Sequence, residues 1–226
     1  MDKVIYAFWT GANQMSPSRA ACLDTLINYS KCDVVLVTPD NLKKFVVPSS
    51  PLHSSYEHLS LTHKSDYLRC YFMHHHGGGY SDIKETVSSW APAFDDLTKS
   101  SAYVNGYPEL SPDCVAMVGG ELYAELRKNY RKVVGCSAFM CKPKTPFTLD
   151  WINEVHRRLD YYEPYLSKAP SVHPQEKRGM VIEGKLSEYP LLWTEILGNI
   201  FHPLCLKYSD RILQSLPPCD FSRPYR

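Results

Sequence analysis

The sequence predicts an α/β protein in which helices flank a mostly parallel twisted sheet. Two short apolar runs near the N terminus have the character of buried strands, and the helical segment between them has the length that a parallel crossover requires. A chain of 226 residues can form one domain of the larger α/β kind. Hydrophobic residues at 44% and charged residues at 22% exclude a disordered chain or a long coiled coil.

The first three predicted elements are a strand, a helix and a strand. Residues 4–9 form a continuous apolar run, which is typical of a strand that is buried on both faces. Ser16 and Pro17 then combine a helix N-cap with a proline at the first helical position, and an apolar stripe extends the helix to about residue 28. Residues 33–38 form the second buried run.

A second helix is predicted to end at a run of glycines. Its apolar stripe consists of Leu61, Ser65, Leu68 and Phe72. The stripe predicts a helix over residues 62–76, and the glycines at 77–79 end it and would let the backbone approach a ligand closely. Residues 79–84 then form a short strand with Asp82 and Lys84 at its carboxyl end, which is where open α/β sheets bind ligands.

The remaining sequence continues the alternation. Strands are predicted at residues 102–107 and 133–141, and helices at residues 121–129, 147–166 and 191–201. Residues 168–190 show no sustained periodicity and carry four basic side chains, so we expect a long loop that acts as a lid or a binding loop. The tail from about residue 214 is expected to be irregular, and residues 1–226 are interpreted as a single domain.

Charge and cysteine usage limit the partners and the compartment. Lys and Arg total 25 and Asp and Glu total 24, so nothing in the net charge indicates nucleic acid or an anionic membrane as partner. The apolar runs are far shorter than the roughly 20 residues of a membrane helix, and no signal-peptide pattern is present, so the sequence predicts a cytoplasmic protein. The eight cysteines are scattered without a CxxC pair and are expected to be reduced.

Two motifs carry the strongest functional signal. The first is Ser65-Asp66-Tyr67-Leu68-Arg69, and the second is the glycine run followed by Tyr80 and Asp82. In order and spacing they resemble the signature of sugar transferases with a D-x-D motif and a GT-A fold. These include yeast-type mannosyltransferases, capsular polysaccharide synthesis enzymes and the large clostridial glucosylating toxins. The resemblance is concentrated in residues 64–85.

The resemblance implies a GT-A-like fold and a hexosyl- or deoxyhexosyltransferase. Such an enzyme takes a nucleotide-diphosphate sugar, with UDP favoured, and a hydroxyl of a glycan or glycoprotein acceptor. The leaving diphosphate gains negative charge, which a cation must meet, and in the family the D-x-D acids hold Mn²⁺ or Mg²⁺ there. By the same resemblance, Asp82 is the carboxylate that would bind the metal ion. The implied donor-binding residues are Phe8, Trp9, Thr10, Lys64, Asp66, Arg69, Ser81 and Lys84. For Asp66 and Arg69, the alternative is a weak ion pair on a helix surface.

The sequence departs from the signature at its second acidic position, which is Lys84. A lysine has no oxygen for a hard cation, and its ammonium repels a metal. Either Asp82 binds the metal with help from another side chain, or Lys84 supplies positive charge itself. His202 is the candidate additional metal ligand, and a histidine that caps the last helix is the alternative.

Three carboxylates are candidates for the catalytic chemistry: Asp82, Glu195 and Asp113. Glu195 could contact the donor sugar or act as base toward the acceptor hydroxyl, or it could be an ordinary helix carboxylate. Asp113 and Glu109 are alternative bases on a proline-rich loop, and residues 135–138 are expected to line the sugar pocket. Two other functions stay open, an inert module that binds sugar nucleotides and a hydrolase that transfers the sugar to water.

Overall fold

The computed structural model describes residues 1–220 and contains a six-stranded sheet. Its strands are β1 (Val4–Phe8), β2 (Asp33–Val37), β3 (Gly78–Ser81), β4 (Val104–Pro108), β5 (Val134–Cys141) and β8 (Ile212–Leu213). Strands β6 (Val181–Ile182) and β7 (Lys185–Leu186) form a separate two-stranded hairpin. The order across the sheet is β2-β1-β3-β5-β4-β8. Only β5 runs against the other five strands, so the predicted α/β class with a mostly parallel sheet is confirmed.

Six helices accompany the sheet: α1 (Pro17–Tyr29), α2 (Leu61–His75), α3 (Ala91–Lys99), α4 (Gly120–Lys128), α5 (Pro146–Lys168) and α6 (Gly198–Lys207). The N-cap predicted at Ser16 is present, since its side chain accepts the backbone N–H of Arg19 at the start of α1. Thr145 and Thr148 cap α5 reciprocally. Among residues 1–220, no helix combines the length and apolar character that crossing a membrane requires.

The core lies on both faces of the sheet. On one face, rings from the sheet, α5 and α6 pack together, with Phe201 centred 4.8 Å from both Phe139 and Trp151. On the other face, α1 and α3 cover Ile5 and Ala7 of β1. Central strands are therefore buried on both faces, which explains their continuous apolar sequences. All eight cysteines are free thiols, as expected.

The glycine run makes the turn that places β3 at the centre of the sheet. Gly77 and Gly78 have φ angles of 69° and 91°, in the region that favours glycine. A Cβ at Gly79 would lie 3.1 Å from the ring of Trp90, because α3 packs directly on β3. The glycines therefore allow a turn of the backbone and the close packing of α3 on β3. The expectation that they let the backbone approach a ligand is wrong. β3 also ends earlier than predicted, so Asp82 is the first residue after the strand.

Further segments differ from the sequence prediction, among them the short strand β8, which was not predicted. Helix α3, which has nine residues, was not predicted. The last helix begins at Gly198 rather than at 191 and extends to Lys207. Residues 168–190 are mainly irregular, as expected, but contain the β6–β7 hairpin and a buried carboxylate, Glu176.

Candidate functional site

A cavity of about 350 Å³ opens at the carboxyl ends of β1 and β3, the edge at which the sequence placed the site. It is lined by Phe8, Trp9, Thr10, Gly11, Asn13, Arg19, Leu61, Thr62, Ser65, Arg69, Tyr80, Asp82, Ile83, Pro174, Gln175 and Trp193. These residues come from β1, α1, α2, β3 and the segments around 174 and 193. Five of the predicted site residues, Phe8, Trp9, Thr10, Arg69 and Asp82, are therefore together in one cavity.

Asp82 has protein partners on both carboxylate oxygens. Oδ1 accepts a hydrogen bond from the Tyr80 hydroxyl and lies 3.2 Å from Nη2 of Arg69. Oδ2 accepts from Nζ of Lys84 at 2.8 Å. Burial raises the pKa of the Asp82 carboxyl, but the two cations and these hydrogen bonds outweigh burial and hold its pKa at about 2. Asp82 is consequently an anion enclosed by positive charge.

Lys84 folds back onto Asp82. The Lys84 backbone N–H donates to the Asp82 carbonyl at 2.8 Å, which makes a tight turn after β3. Its Nζ also donates to Oγ of Ser137 on β5 at 3.0 Å. The side chain is only 8% exposed and does not line the cavity. Lys84 therefore lies beneath Asp82 and partly neutralises it from the protein side.

Arg69 and Asp66 are buried, so the alternative of a weak ion pair on a helix surface is wrong. The Arg69 guanidinium lies 4.3 Å from the centre of the Tyr80 ring, and its Nη1 donates to the Cys136 carbonyl at 3.0 Å. Asp66 Oδ1 lies 3.5 Å from Nη2 of Arg69. Burial raises the pKa of Asp66 to about 7, and the attraction of Arg69 offsets only part of that rise. Asp66 lies behind Arg69 and does not line the cavity.

Arg19 belongs to this site and was missed by the sequence analysis. It lies in the first turn of α1, and its Nη1 donates to the Ile83 carbonyl at 2.8 Å. A cation in the first turn of a helix opposes the helix dipole. The unfavourable position of this arginine could have indicated from the sequence that its role is something other than stabilising the helix.

Aromatic rings form the walls of the cavity. Phe8 stacks on Tyr80 with ring centres 5.4 Å apart, so both rings belong to the core and to the cavity surface. Trp9 donates its indole N–H to the Asn13 carbonyl, and Trp193 lines the cavity with 40% of its surface exposed. Flat apolar rings beside arginines suit a ligand that combines an aromatic base with anionic groups.

Two other predicted donor-binding residues lie just outside the cavity. Lys64 pairs with Glu57 at 2.9 Å and lines a separate cavity of about 120 Å³. Ser81 is fully buried and donates its hydroxyl to the Asp82 carbonyl. Ser81 thus contacts the turn that presents Asp82.

His202 lies in a buried cluster on α6, not at the end of a helix. Its Nδ1 accepts the Ala116 N–H at 2.9 Å, so the neutral ring carries its proton on Nε2. Nε2 lies 3.2 Å from Sγ of Cys136 and 3.5 Å from Oε1 of Glu109. Both ring nitrogens therefore have protein contacts, and Glu109 is placed with His202.

The candidate bases Glu195 and Asp113 lie away from the main cavity. Glu195 Oε1 accepts from Arg158 Nη1 at 3.1 Å and lines a second groove of about 580 Å³. Asp113 is exposed and pairs with Arg127 at 2.7 Å. Their catalytic roles stay predictions.

The residues around Asp82 do not fit a hard divalent cation as they are arranged. Such ions need several oxygen ligands, whereas here one carboxylate is flanked by two cations. Within residues 1–220, no group of three or more His, Cys, Asp or Glu side chains could hold a metal ion. The Mn²⁺ or Mg²⁺ implied by the resemblance would have to approach a carboxylate that Lys84 and Arg69 already hold.

Comparison with known proteins bears on the same part of the chain. Residues 1–109 match the family model described as capsular polysaccharide synthesis protein. The matched span contains Arg19, Arg69, Asp82 and Lys84. It confirms, over that span, the resemblance to capsular polysaccharide synthesis enzymes.

Among solved structures, the chain is similar to one described as PaToxG glycosyltransferase, with 14% sequence identity and a TM-score of 0.44. The similarity covers 74% of this chain and 64% of that chain, so it spans less than two thirds of that structure. No curated protein matches the chain.

Proposed function

We propose that the chain acts as a glycosyltransferase that moves a sugar from a nucleotide-diphosphate donor, with UDP favoured, to a hydroxyl of a glycan. One observation carries the proposal. Arg19 and Arg69 come from different helices and meet at the turn after β3, where one binds the Ile83 carbonyl and the other pairs with Asp82. Two guanidinium groups in a cavity with aromatic walls suit a nucleoside diphosphate, because guanidinium groups match phosphate oxygens and rings can stack on a base.

The proposed reaction places these charges against the leaving group. The bond between the anomeric carbon and the diphosphate oxygen breaks, and the diphosphate leaves with the electron pair. A bond forms between the anomeric carbon and the acceptor oxygen, whose proton passes to a base or to solvent. Cations held in advance stabilise the charge that develops on the diphosphate.

The second groove supports an acceptor site beside the donor cavity. Leu192 lines the groove and its neighbour Trp193 lines the cavity, so the two adjoin at these residues. Tyr161 and Tyr162 offer ring faces on which a sugar can stack, and Glu195 is the carboxylate of this groove. A cytoplasmic location stays a prediction from the sequence.

Segment 168–190 contributes to the wall of the donor cavity, which is consistent with a role in binding the donor. Its Pro174 and Gln175 line the cavity. Lys177 lies 5.2 Å from the ring centre of Trp193, which lines the cavity, and Arg178 lines the second groove. Unchanged transfer after deletion of the segment would contradict this role.

The proposal is tested by thermal unfolding with UDP, GDP, CMP and ADP. We expect UDP to raise the unfolding midpoint most. A ligand at 100 times its dissociation constant stabilises the folded state by about 2.7 kcal/mol, so the shift is measurable. Arg19→Gln should weaken UDP binding about tenfold, which corresponds to roughly 1.4 kcal/mol. The matched control is Arg127→Gln, whose arginine pairs with Asp113 outside the cavity.

Turnover assays distinguish the proposed transferase from the two other functions that stay open, the hydrolase and the inert binding module. Release of free sugar from UDP-sugars without acceptor would indicate a hydrolase, and binding without any turnover would indicate an inert module. The absence of a response to all four nucleotides would overturn the proposal.

A further inference from the structure

We propose that the donor site of this chain works without a divalent metal ion: Lys84 neutralises Asp82 from the protein side, and Arg69 and Arg19 supply the positive charge that a metal would otherwise supply against the diphosphate. This inference deepens the proposed function and rests on it. Of the two alternatives stated for Lys84 in the sequence analysis, it favours the one in which Lys84 supplies positive charge itself.

The first argument is the sign of the charge at the turn after β3. Asp82 carries one negative charge, and Lys84 and Arg69 lie 2.8 Å and 3.2 Å from its oxygens. The three groups together are positive by one charge; an ionised Asp66, 3.5 Å from Arg69, would remove one charge, and Arg19 at the Ile83 carbonyl adds one. With an acid at position 84 the same three positions would be negative by one charge. A positive site repels a free divalent cation and attracts a diphosphate.

The second argument is that the position of Lys84 is fixed by its surroundings. Its backbone N–H binds the Asp82 carbonyl, and its Nζ donates both to Asp82 and to Ser137 Oγ. Ser137 also accepts the Asp82 N–H through its carbonyl at 2.7 Å, so β5 holds both ends of the turn. A metal could reach Asp82 Oδ2 only by breaking a charge-assisted contact in a buried setting.

The third argument is that cationic donors already line the cavity. Arg19 and Arg69 are both among its lining residues and are held by neighbouring positions, Ile83 and Asp82. Nε of Arg69 is buried and has no hydrogen-bond partner among residues 1–220. The site therefore presents two planar cations to the cavity, and guanidinium groups are well suited to phosphate oxygens.

The test measures UDP binding by calorimetry with EDTA and with Mn²⁺, and measures Mn²⁺ binding directly by electron paramagnetic resonance. For the unmodified protein we expect UDP dissociation constants in EDTA and in Mn²⁺ to agree within about twofold. We also expect no Mn²⁺ binding in the absence of nucleotide.

Lys84→Asp recreates the two-acid motif. It should weaken UDP binding in EDTA by at least about tenfold, with Mn²⁺ restoring the affinity and giving a bound-Mn²⁺ signal. Lys84→Met removes the charge without adding a ligand, so Mn²⁺ should restore its affinity less. The matched control is Lys207→Asp, which removes the lysine of the exposed Lys207–Asp150 pair and should leave UDP binding independent of metal.

UDP binding by the unmodified protein only with Mn²⁺ would overturn this inference and leave the proposed function standing. Failure of UDP, GDP, CMP and ADP to bind under either condition would overturn both. The comparison of EDTA with Mn²⁺ uses the unmodified protein, so it decides the question even if Lys84→Asp does not fold.

Discussion

At the scale of single residues, the site is a set of charged side chains held close together in a largely buried setting. Asp82 stays ionised because Arg69 and Lys84 outweigh the effect of burial on its pKa. For Asp66, the attraction of Arg69, 3.5 Å away, offsets only part of the effect of burial, and its pKa is raised to about 7. Two aspartates on the same arginine therefore differ in protonation near neutral pH, and the difference comes from their cation partners.

The raised pKa of Asp66 predicts a pH-dependent stability. In the unfolded chain Asp ionises at about pH 4, so between that pH and about 7 the folded state holds a proton that the unfolded state has lost. The free energy of unfolding should fall with rising pH in this window, by up to about 1.4 kcal/mol per pH unit, and level off above it. Asp66→Asn should remove this slope.

The measurement is urea unfolding of both proteins from pH 5 to pH 8, with the difference between them taken at each pH. Other titrating groups are shared and cancel in the difference. A difference that does not change with pH would contradict the placement of a neutral Asp66 in the folded state.

At the scale of elements, the segment between α5 and α6 is organised by one buried carboxylate. Oε2 of Glu176 accepts the backbone N–H groups of Val172 and His173, and Oε1 accepts the Ser187 hydroxyl. The carbonyl of Pro174 then accepts the Thr62 N–H at 3.1 Å, which fixes the segment to the start of α2. A chain without periodicity is thereby ordered by its polar contacts.

Glu176→Gln should loosen this segment. The amide oxygen can still accept the two N–H groups and the amide nitrogen can donate to Ser187 Oγ, but the negative charge that strengthens these contacts is lost, at a cost of about 1 kcal/mol. Trypsin should then cut faster at the exposed Lys177 and Arg178. The control is Glu188→Gln, an exposed glutamate in the same segment. Equal cutting rates in both variants would count against the role of Glu176.

At the scale of the whole molecule, one aromatic layer joins the sheet to the C-terminal helices. Phe201 of α6 contacts Phe139 of β5 and both Phe147 and Trp151 of α5. α6 also carries His202, which binds the backbone at Ala116 and contacts Cys136 beside the site. Packing in this layer therefore sets the position of the strand that supports Lys84 and Arg69.

Phe201→Ala should lower the free energy of unfolding by about 3–5 kcal/mol, because it leaves a cavity in a fully buried layer. Tyr165→Ala on α5, where the ring is 53% exposed, should change it by less than about 0.5 kcal/mol. Urea unfolding of the two variants measures both values. Similar losses in the two proteins would show that the layer is not the main core.

The sequence by itself determined most of the local structure. Ser16, Ser60 and Thr145 cap helices by contacts that span only three residues, and apolar runs mark the central strands because both of their faces are buried. The motif around Asp66, Arg69 and Asp82 also indicated the right edge of the sheet, because the carboxyl end of β3 follows from strand direction alone.

Only the tertiary structure decided which charges meet. Lys84 could have pointed to the cavity or away from it, and the contact with Ser137 on β5, 53 positions further along the chain, turns it onto Asp82. Arg19 reaches the site across 64 positions through the Ile83 carbonyl. Such contacts depend on how strands and helices pack, and no local pattern encodes them. For that reason the sequence located the site, whereas the fold set its charge.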